Sequence, residues 1–210
     1  MDRIEAPYCS ICGEDFGGAM DRDFVCSNCS GRRLAFEFAI SGFKANGRLR
    51  EVLHRFKYSR DLSLRGLLAD ALMTALEEPR LAKEDLSQWM LVPVPLHWMR
   101  QVQRSFNQSW ELCQELSART GIPAGQVLWR TRKSATQARL NRQERLENLR
   151  GVFALPPRWR FWSRGADVRG KKVLLVDDVL TTGATSHECA RVLRREAGAE
   201  KVVVITAARG

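Results

Sequence analysis

No stretch of this 210-residue chain approaches the roughly 20 consecutive apolar residues that a membrane-crossing helix requires, so insertion of a helix into a bilayer is not expected. Met1 to Pro7 contain no apolar segment of the kind a secretory signal carries, which points to the cytoplasm, a reducing compartment in which disulfides are rare. Internal repeats and low-complexity tails are absent too. Histidine is scarce. His54, His97 and His187 are isolated from one another, each is expected to be a surface or packing residue, and no side chain stands out as the acid or base of a reaction. Catalytic residues are therefore left unassigned.

The chain does have the apolar content, 44% against 28% charged, to bury one ordinary α/β core with a small appendage. Its most informative stretch is Lys172 to Thr185. Val173 to Val176 form a β-branched and leucine run suited to a central parallel strand covered on both faces. Asp177 and Asp178 are expected at its carboxyl end, where open α/β sheets place their ligands. Thr181, Thr182, Gly183, Ala184 and Thr185 follow, and an amphipathic segment from about Ser186 to Ala197 predicts a helix. A phosphate at that loop meets backbone N–H groups, hydroxyls and the positive end of a helix dipole. Two ionised carboxylates would repel it, so their expected work is to accept hydrogen bonds from sugar hydroxyls and to hold a hydrated Mg²⁺. An ordinary strand–turn–helix with an acidic turn is the plainer alternative.

The string Val173–Thr185 resembles the fingerprint of the type I phosphoribosyltransferases, which bind 5-phosphoribosyl 1-pyrophosphate (PRPP). That resemblance implies a ribose oriented by Asp177 and Asp178 and a 5-phosphate fixed by Thr181–Thr185.

Near the other end, Cys9-x-x-Cys12 is followed after thirteen residues by Cys26-x-x-Cys29. Two tight cysteine pairs have the ligand spacing of a structural zinc site, each pair on a turn that points both sulfurs at one tetrahedral ion. Gly13, Asn28 and Gly31 are residues such turns use. Two disulfides or free thiols are the other readings of the same spacing. Cys113 and Cys189 lie singly in helical patterns and are expected to be small core residues.

The net charge is +10 and the pI about 9.8, which invites a polyanionic partner. Residues 1–40, however, hold four arginines against seven acids, the wrong sign to track phosphates. The positive charge gathers in Arg130–Arg164, ten basic residues against Glu144 and Glu147, with Trp159, Phe161 and Trp162 interleaved. Arginines alternating with stacking rings suit single-stranded nucleic acid, and Arg139, Arg142, Arg145, Trp159 and Trp162 are the candidate contacts. A solvated basic face, with Phe153, Trp159 and Trp162 packed on the core, is the competing reading. Gln137–Arg145 has a second candidate role as a flap over the reaction centre, against that of a plain solvent-facing helix.

The remaining pattern divides the chain into a zinc ribbon over residues 1–40 and an α/β domain over 41–210. Leu49, Val52, Leu53 and Phe56 are spaced as a helix face, and Leu68, Ala71, Leu72 and Ala75 repeat the pattern. Met90–Leu96 reads as a strand whose prolines force an extended exit. A helix with Phe106, Trp110 and Cys113 on one face follows, then a strand near Gln126–Arg130 and a last strand at Lys201–Ala207. Strands alternating with helices imply a parallel sheet flanked by helices.

Taken together, these landmarks resemble the ComF/GntX family, competence-associated proteins with a four-cysteine zinc ribbon before a phosphoribosyltransferase-like domain. The matching segments are the four cysteines, Phe56-Lys57-Tyr58, Val92–Leu96, Arg104–Gln108, Gln137–Arg145, Asn148–Phe153 and Val173–Thr185. The resemblance implies that Arg104, Phe106, Asn107 and Gln108 lie on the pyrophosphate side of a PRPP site. One position departs from the family's Arg-Gly-Phe-Asn-Gln pattern, Ser105 standing where the family has glycine.

Three functions are then compatible with the sequence. The first is transfer of phosphoribose from PRPP, with Mg²⁺, to an acceptor the sequence does not indicate. The second is handling of incoming single-stranded DNA during natural transformation. The third is a non-catalytic PRPP or nucleotide sensor acting through a protein partner of the competence machinery. A PRPP-binding, phosphoribosyltransferase-like protein with a role in DNA uptake is the favoured expectation.

Overall fold

The computed structural model describes residues 1–16, 24–59, 61–96, 106–131, 149–157 and 166–210. Its centre is a four-stranded, wholly parallel sheet in the order β1 (Ala39–Lys44), β6 (Lys201–Arg209), β5 (Lys172–Leu180), β2 (Trp89–Pro93). Side chains alternate across it as the period of two requires. Leu91, Leu174, Val176, Val203 and Ile205 enter one apolar layer. Val92, Val173, Leu175, Val202 and Val204 enter the opposite one. A strand buried on both faces has no polar positions to spare, which is why its sequence reads as an unbroken apolar run.

Helices α1 (Gly47–Tyr58), α2 (Arg65–Leu76) and α4 (Gln108–Thr120) contribute to the first layer, and a short α3 (Pro79–Ala82) follows α2. Leu49, Leu53 and Phe56 of α1 are buried as their spacing predicts, as are Leu68, Ala71, Leu72 and Ala75 of α2. The second layer holds α5 (Ala184–Arg195) and a small antiparallel pair, β3 (Trp129–Arg130) with β4 (Phe153–Ala154).

Two expectations need correction. The strand expected near Gln126–Arg130 forms only at Trp129–Arg130, and it pairs with β4 rather than joining the central sheet. Val127 and Leu128 are buried in the second apolar layer, and the outer neighbour of β2 is instead the segment just before, with Leu91 N–H donating to the Pro123 carbonyl (2.9 Å) and Gly125 N–H to that of Leu91 (2.9 Å). Phe106 lies outside α4, whose buried face is Gln108, Ser109, Leu112, Cys113 and Leu116, with Trp110 only partly covered. Cys113 and Cys189 are fully buried core residues, and burial pushes both thiols up.

Connectivity places the crevice. From β5 the chain crosses through α5 to β6 on one side, whereas from β2 it crosses through α4 to the segment beyond β2 on the other. Neighbouring strands whose connections diverge leave a gap between their carboxyl ends, the usual ligand position in such sheets. The β2–β5 ladder ends with Pro93 opposite Val176, while the β5–β6 ladder runs on to Leu180 opposite Arg209. Asp177 and Asp178 therefore stand within β5 where one neighbour has stopped and the other continues.

Among the described residues, no helix is long and apolar enough to cross a membrane.

Candidate functional site

At the carboxyl end of β5 the two carboxylates differ. Asp178 is buried and pairs with the Lys57 ammonium at 2.9 Å, a contact from the last turn of α1. Asp177 accepts hydrogen bonds from the Ser109 hydroxyl (3.0 Å), in the first turn of α4, and from the Asp178 backbone N–H (2.9 Å). Burial, reinforced by the neighbouring Asp178 charge, pushes Asp177 up to about 7, even though Lys57, the Asp178 N–H and Ser109 act in the opposite direction. A carboxyl perturbed by burial and a like charge in a crevice is a mark of a functional position.

The Thr181–Thr185 loop closes the site beside these acids. Gly183 has φ +71°, a left-handed conformation that costs glycine nothing, and it turns the chain directly into α5. The helix opens with no side-chain cap on Gly183; its first N–H, at Ala184, reaches the Thr182 hydroxyl at 3.4 Å. Thr181 is exposed, Thr182 and Thr185 are half-buried, and Gly183 and Ala184 are buried. Such a helix start offers an anion backbone donors and a positive dipole end together.

Asn107 connects the third wall. Its side chain caps α4 by accepting from Ser109 N–H (3.2 Å) and donates to the Val94 carbonyl (3.3 Å), so the end of β2 and the start of α4 are held together next to Asp177. The fold thus brings Asp177, Asp178, Thr181–Thr185 and Asn107 to one end of the sheet. Arg104, Ser105, Arg139, Arg142, Arg145, Trp159 and Trp162 lie outside the described residues, as do Gln137 and His97. Lys57 and Ser109 had no site role in the sequence reading. The one available signal was the Phe56-Lys57-Tyr58 segment, in which a basic residue follows the last buried position of an amphipathic helix.

A second constellation lies at the amino terminus. One ligand atom from each of Cys9, Cys12, Cys26 and Cys29 falls within 4.8 Å of all the others, and all four thiols are free. Cys12 and Cys26 sulfurs are 3.6 Å apart, close to the separation of about 3.8 Å that a tetrahedral ion with metal–sulfur bonds of about 2.3 Å would set, and far from a disulfide at about 2.05 Å. Gly13 and Gly31, at φ +64° and +71°, make the turns after each pair. Burial pushes Cys9 up, but N–H groups of Cys26, Cys12 and Ile11 bring it down to about 7. Burial and the neighbouring Cys12 raise Cys26 and Cys29. The four residues could hold a metal ion.

The cysteine cluster is joined to the sheet. Arg209, at the end of β6, is buried and contacts Cys12 Sγ (3.8 Å), the Glu14 carboxylate and, through Nη1, the Leu180 carbonyl (3.0 Å). Ala35 N–H donates to His187 Nδ1 in α5 (3.0 Å), and Phe36 packs against Gly183. His187 is thus a packing residue. Its imidazole is held neutral, burial lowering its pKa, which matches the Nδ1 acceptor role.

This fold and this carboxylate–loop–helix arrangement define the chain as a phosphoribosyltransferase-type α/β protein, and residues 108–210 match the phosphoribosyl transferase domain family. Relatives match nearly end to end. Competence protein F of Haemophilus influenzae is 29% identical over 97% of this chain and 85% of its own length. DNA utilization protein YhgH of Salmonella typhimurium is 30% identical over 94% and 82%. Competence protein ComFC of Bacillus subtilis is 25% identical over 100% and 80%. The chain belongs to the ComF family.

Proposed function

We propose that the protein binds PRPP with Mg²⁺ at the carboxyl end of β5 and acts in the cytoplasm in the use of incoming single-stranded DNA. The observation that carries the reading is the pairing, in one crevice, of two acids that crowd each other with a helix start that has no side-chain cap on Gly183. The acids are acceptors suited to ribose hydroxyls, and the loop Thr181–Thr185 has donors suited to a 5-phosphate. Asp177 and Asp178 are also the oxygen ligands suited to Mg²⁺, whose chemistry would be to neutralise pyrophosphate as it leaves. Asn107 ties the end of β2 to the start of α4, and Arg104 would supply charge on the pyrophosphate side.

The cysteine cluster is proposed to hold structural zinc, four thiols being the ligand set that ion favours. Residues 1–40 would then fold on the metal, with 41–210 as the PRPP-binding unit. The DNA role is supported by relatives that carry competence and DNA-utilization names, and by the basic stretch Arg130–Arg164. A sensor acting through a protein partner is the second reading. Among the described residues, His54 stacks on Tyr58 and His187 packs on Ala35, which favours binding without an evident acid–base pair.

Titration calorimetry with PRPP, with and without Mg²⁺, tests the ligand. Saturable binding that strengthens with Mg²⁺ is expected, and no heat at millimolar PRPP would refute it. For DNA, the log–log salt slope of single-strand binding should flatten by roughly 2 units in an Arg139/Arg142/Arg145→Ala variant, at about 0.7 per lost phosphate contact. Trp159→Ala or Trp162→Ala should weaken binding by about 1–3 kcal/mol per stacked base with the slope preserved. An unchanged slope and affinity in all these variants would move the DNA surface elsewhere.

A further inference from the structure

Among the described cations, Lys57 is the one that pairs with an acid at the carboxyl end of β5. It reaches from α1 into the crevice and meets Asp178, whose side chain is only 10% exposed. Its position is fixed by its neighbour. Phe56 is fully buried and stacks against Phe106, the rings 5.7 Å apart and tilted by 59°, so the last turn of α1 is clamped to the segment that leads into α4. Lys57 therefore sits between the pyrophosphate-side segment and the acids of β5, with a quarter of its side chain still open to solvent.

The pair is poorly explained as a device for holding α1 in place. Leu49, Leu53 and Phe56 already bury the inner face of that helix, and a largely buried ion pair, whose desolvation offsets its attraction, is weak evidence of a stabilising role. Its electrostatic effect falls on the site instead. Among the described residues, Lys57 is the one cation that pairs with either acid, meeting Asp178 while Asp177 is held by Ser109 and the Asp178 N–H. A ligand that brings hydroxyls or its own cation to Asp178 competes with Lys57 for the same oxygen. The displaced ammonium is then left beside the most highly charged part of a pyrophosphate-bearing sugar, with a flexible stem able to follow it.

We propose that Lys57 is a ligand-binding residue that exchanges partners, holding Asp178 in the free protein and pairing with the pyrophosphate when PRPP enters. The proposal deepens the PRPP reading above and rests on it. It separates the two ends of the ligand, since the 5-phosphate belongs to Thr181–Thr185 and the pyrophosphate to Lys57.

The test is calorimetric titration of the full-length protein with two probes, PRPP and ribose 5-phosphate, each with Mg²⁺. Lys57→Gln should weaken PRPP by about tenfold or more, the usual loss of a charged hydrogen bond, and change ribose 5-phosphate less than about twofold. Lys57→Arg, which keeps the charge, should restore PRPP to within about threefold of the parent. Lys57→Gln leaves the buried Asp178 carboxylate without its ammonium and should melt below the parent, so titrations are run well below each variant's midpoint, and Lys57→Met serves as a second neutral variant should Gln fold poorly. PRPP binding unchanged in Lys57→Gln and Lys57→Met would overturn the proposal. So would equal losses for both probes, because Lys57 would then act only by propping Asp178. A parent protein that binds neither probe would refute the sugar-phosphate site itself, and this proposal with it.

Discussion

The two ends of strand β5 differ in how their charges are paired. At its amino end one acid serves two bases: Glu84 accepts from Lys172 at 2.5 Å and from Lys201 at 2.9 Å, and these hydrogen bonds hold its carboxyl down at about 2. At its carboxyl end, among the described residues, Lys57 pairs with Asp178 alone, and Asp177 is pushed up to about 7 by burial and its neighbour. The same strand thus ends once in a satisfied cluster and once in a frustrated one. Satisfied clusters hold a fold together, and frustrated ones are kept for a ligand that supplies the missing partners.

The strongest way to separate the ends is to strip the cysteine cluster, which reaches the carboxyl end through Arg209 and, through Ala35, His187, whereas its hydrogen bonds from Ala39 N–H to the Ile11 carbonyl and from Arg80 to the Ser10 carbonyl run to β1 and α3 rather than to β5. If the cluster holds zinc, the ion supplies much of the folding energy of that small unit, of order 10 kcal/mol in isolated zinc-finger peptides. Freshly isolated, reduced protein should contain about one zinc per chain. Chelation, or Cys12→Ser, should cost hydrogen-exchange protection in residues 1–40 and in the Leu180–His187 segment, while Lys172–Val176 stays protected. Equal loss at both ends of β5 would remove the distinction.

Glu84→Gln should lower stability by about 1–2 kcal/mol and leave PRPP affinity unchanged. Since Glu84 titrates below its ordinary value of 4.5, its contribution is complete above that pH and is lost as pH falls through about 2. Parent and variant should therefore converge in acid, as denaturant midpoints measured from pH 7 to pH 2 will show. A loss of PRPP binding in this variant would mean that the amino end is not merely structural.

A smaller effect is expected at His187. Its pKa is lowered from 6.5 by burial, so its contribution is present above pH 6.5 and is lost as pH falls through the lowered folded value. His187→Phe should cost about 1 kcal/mol at pH 7.5, the scale of one net hydrogen bond, and less at pH 5. Exchange of the Ala35 amide reports the same bond. An Ala35 amide that exchanges alike in both proteins would contradict its role as donor.

What could be read from the chain before folding was whatever is local. The run Val173–Val176, the acids after it, the loop Thr181–Thr185 and the paired cysteines each carry their chemistry within a few residues, and all were placed in advance. Lys57 and Ser109 reach Asp178 and Asp177 only through packing of α1 and α4 on the sheet, and no periodicity encodes that approach. The strand expected near Gln126–Arg130 forms only at Trp129–Arg130, for a similar reason. Val127 and Leu128 carry a strand-like apolar signal, but they are buried in the second apolar layer without pairing to the central sheet. Strand β5 also runs past its acids to Leu180, because β6 continues to pair with it after β2 has ended.

The most direct measurement is the thermal unfolding of the parent and of Asp177→Asn, each with and without PRPP and Mg²⁺. With its pKa raised from 3.8 to about 7, Asp177 contributes to stability below the lower value and loses that contribution as pH rises through the upper one. At pH 8 the Asn variant should therefore unfold at a higher temperature than the parent, by an amount that shrinks as pH falls below 7. The parent should gain about 2.7 kcal/mol from PRPP at a hundredfold excess over its dissociation constant, and the variant far less. A variant that is less stable than the parent at pH 8 yet keeps the full PRPP shift would contradict the claim that the acids of the carboxyl end are held for the ligand.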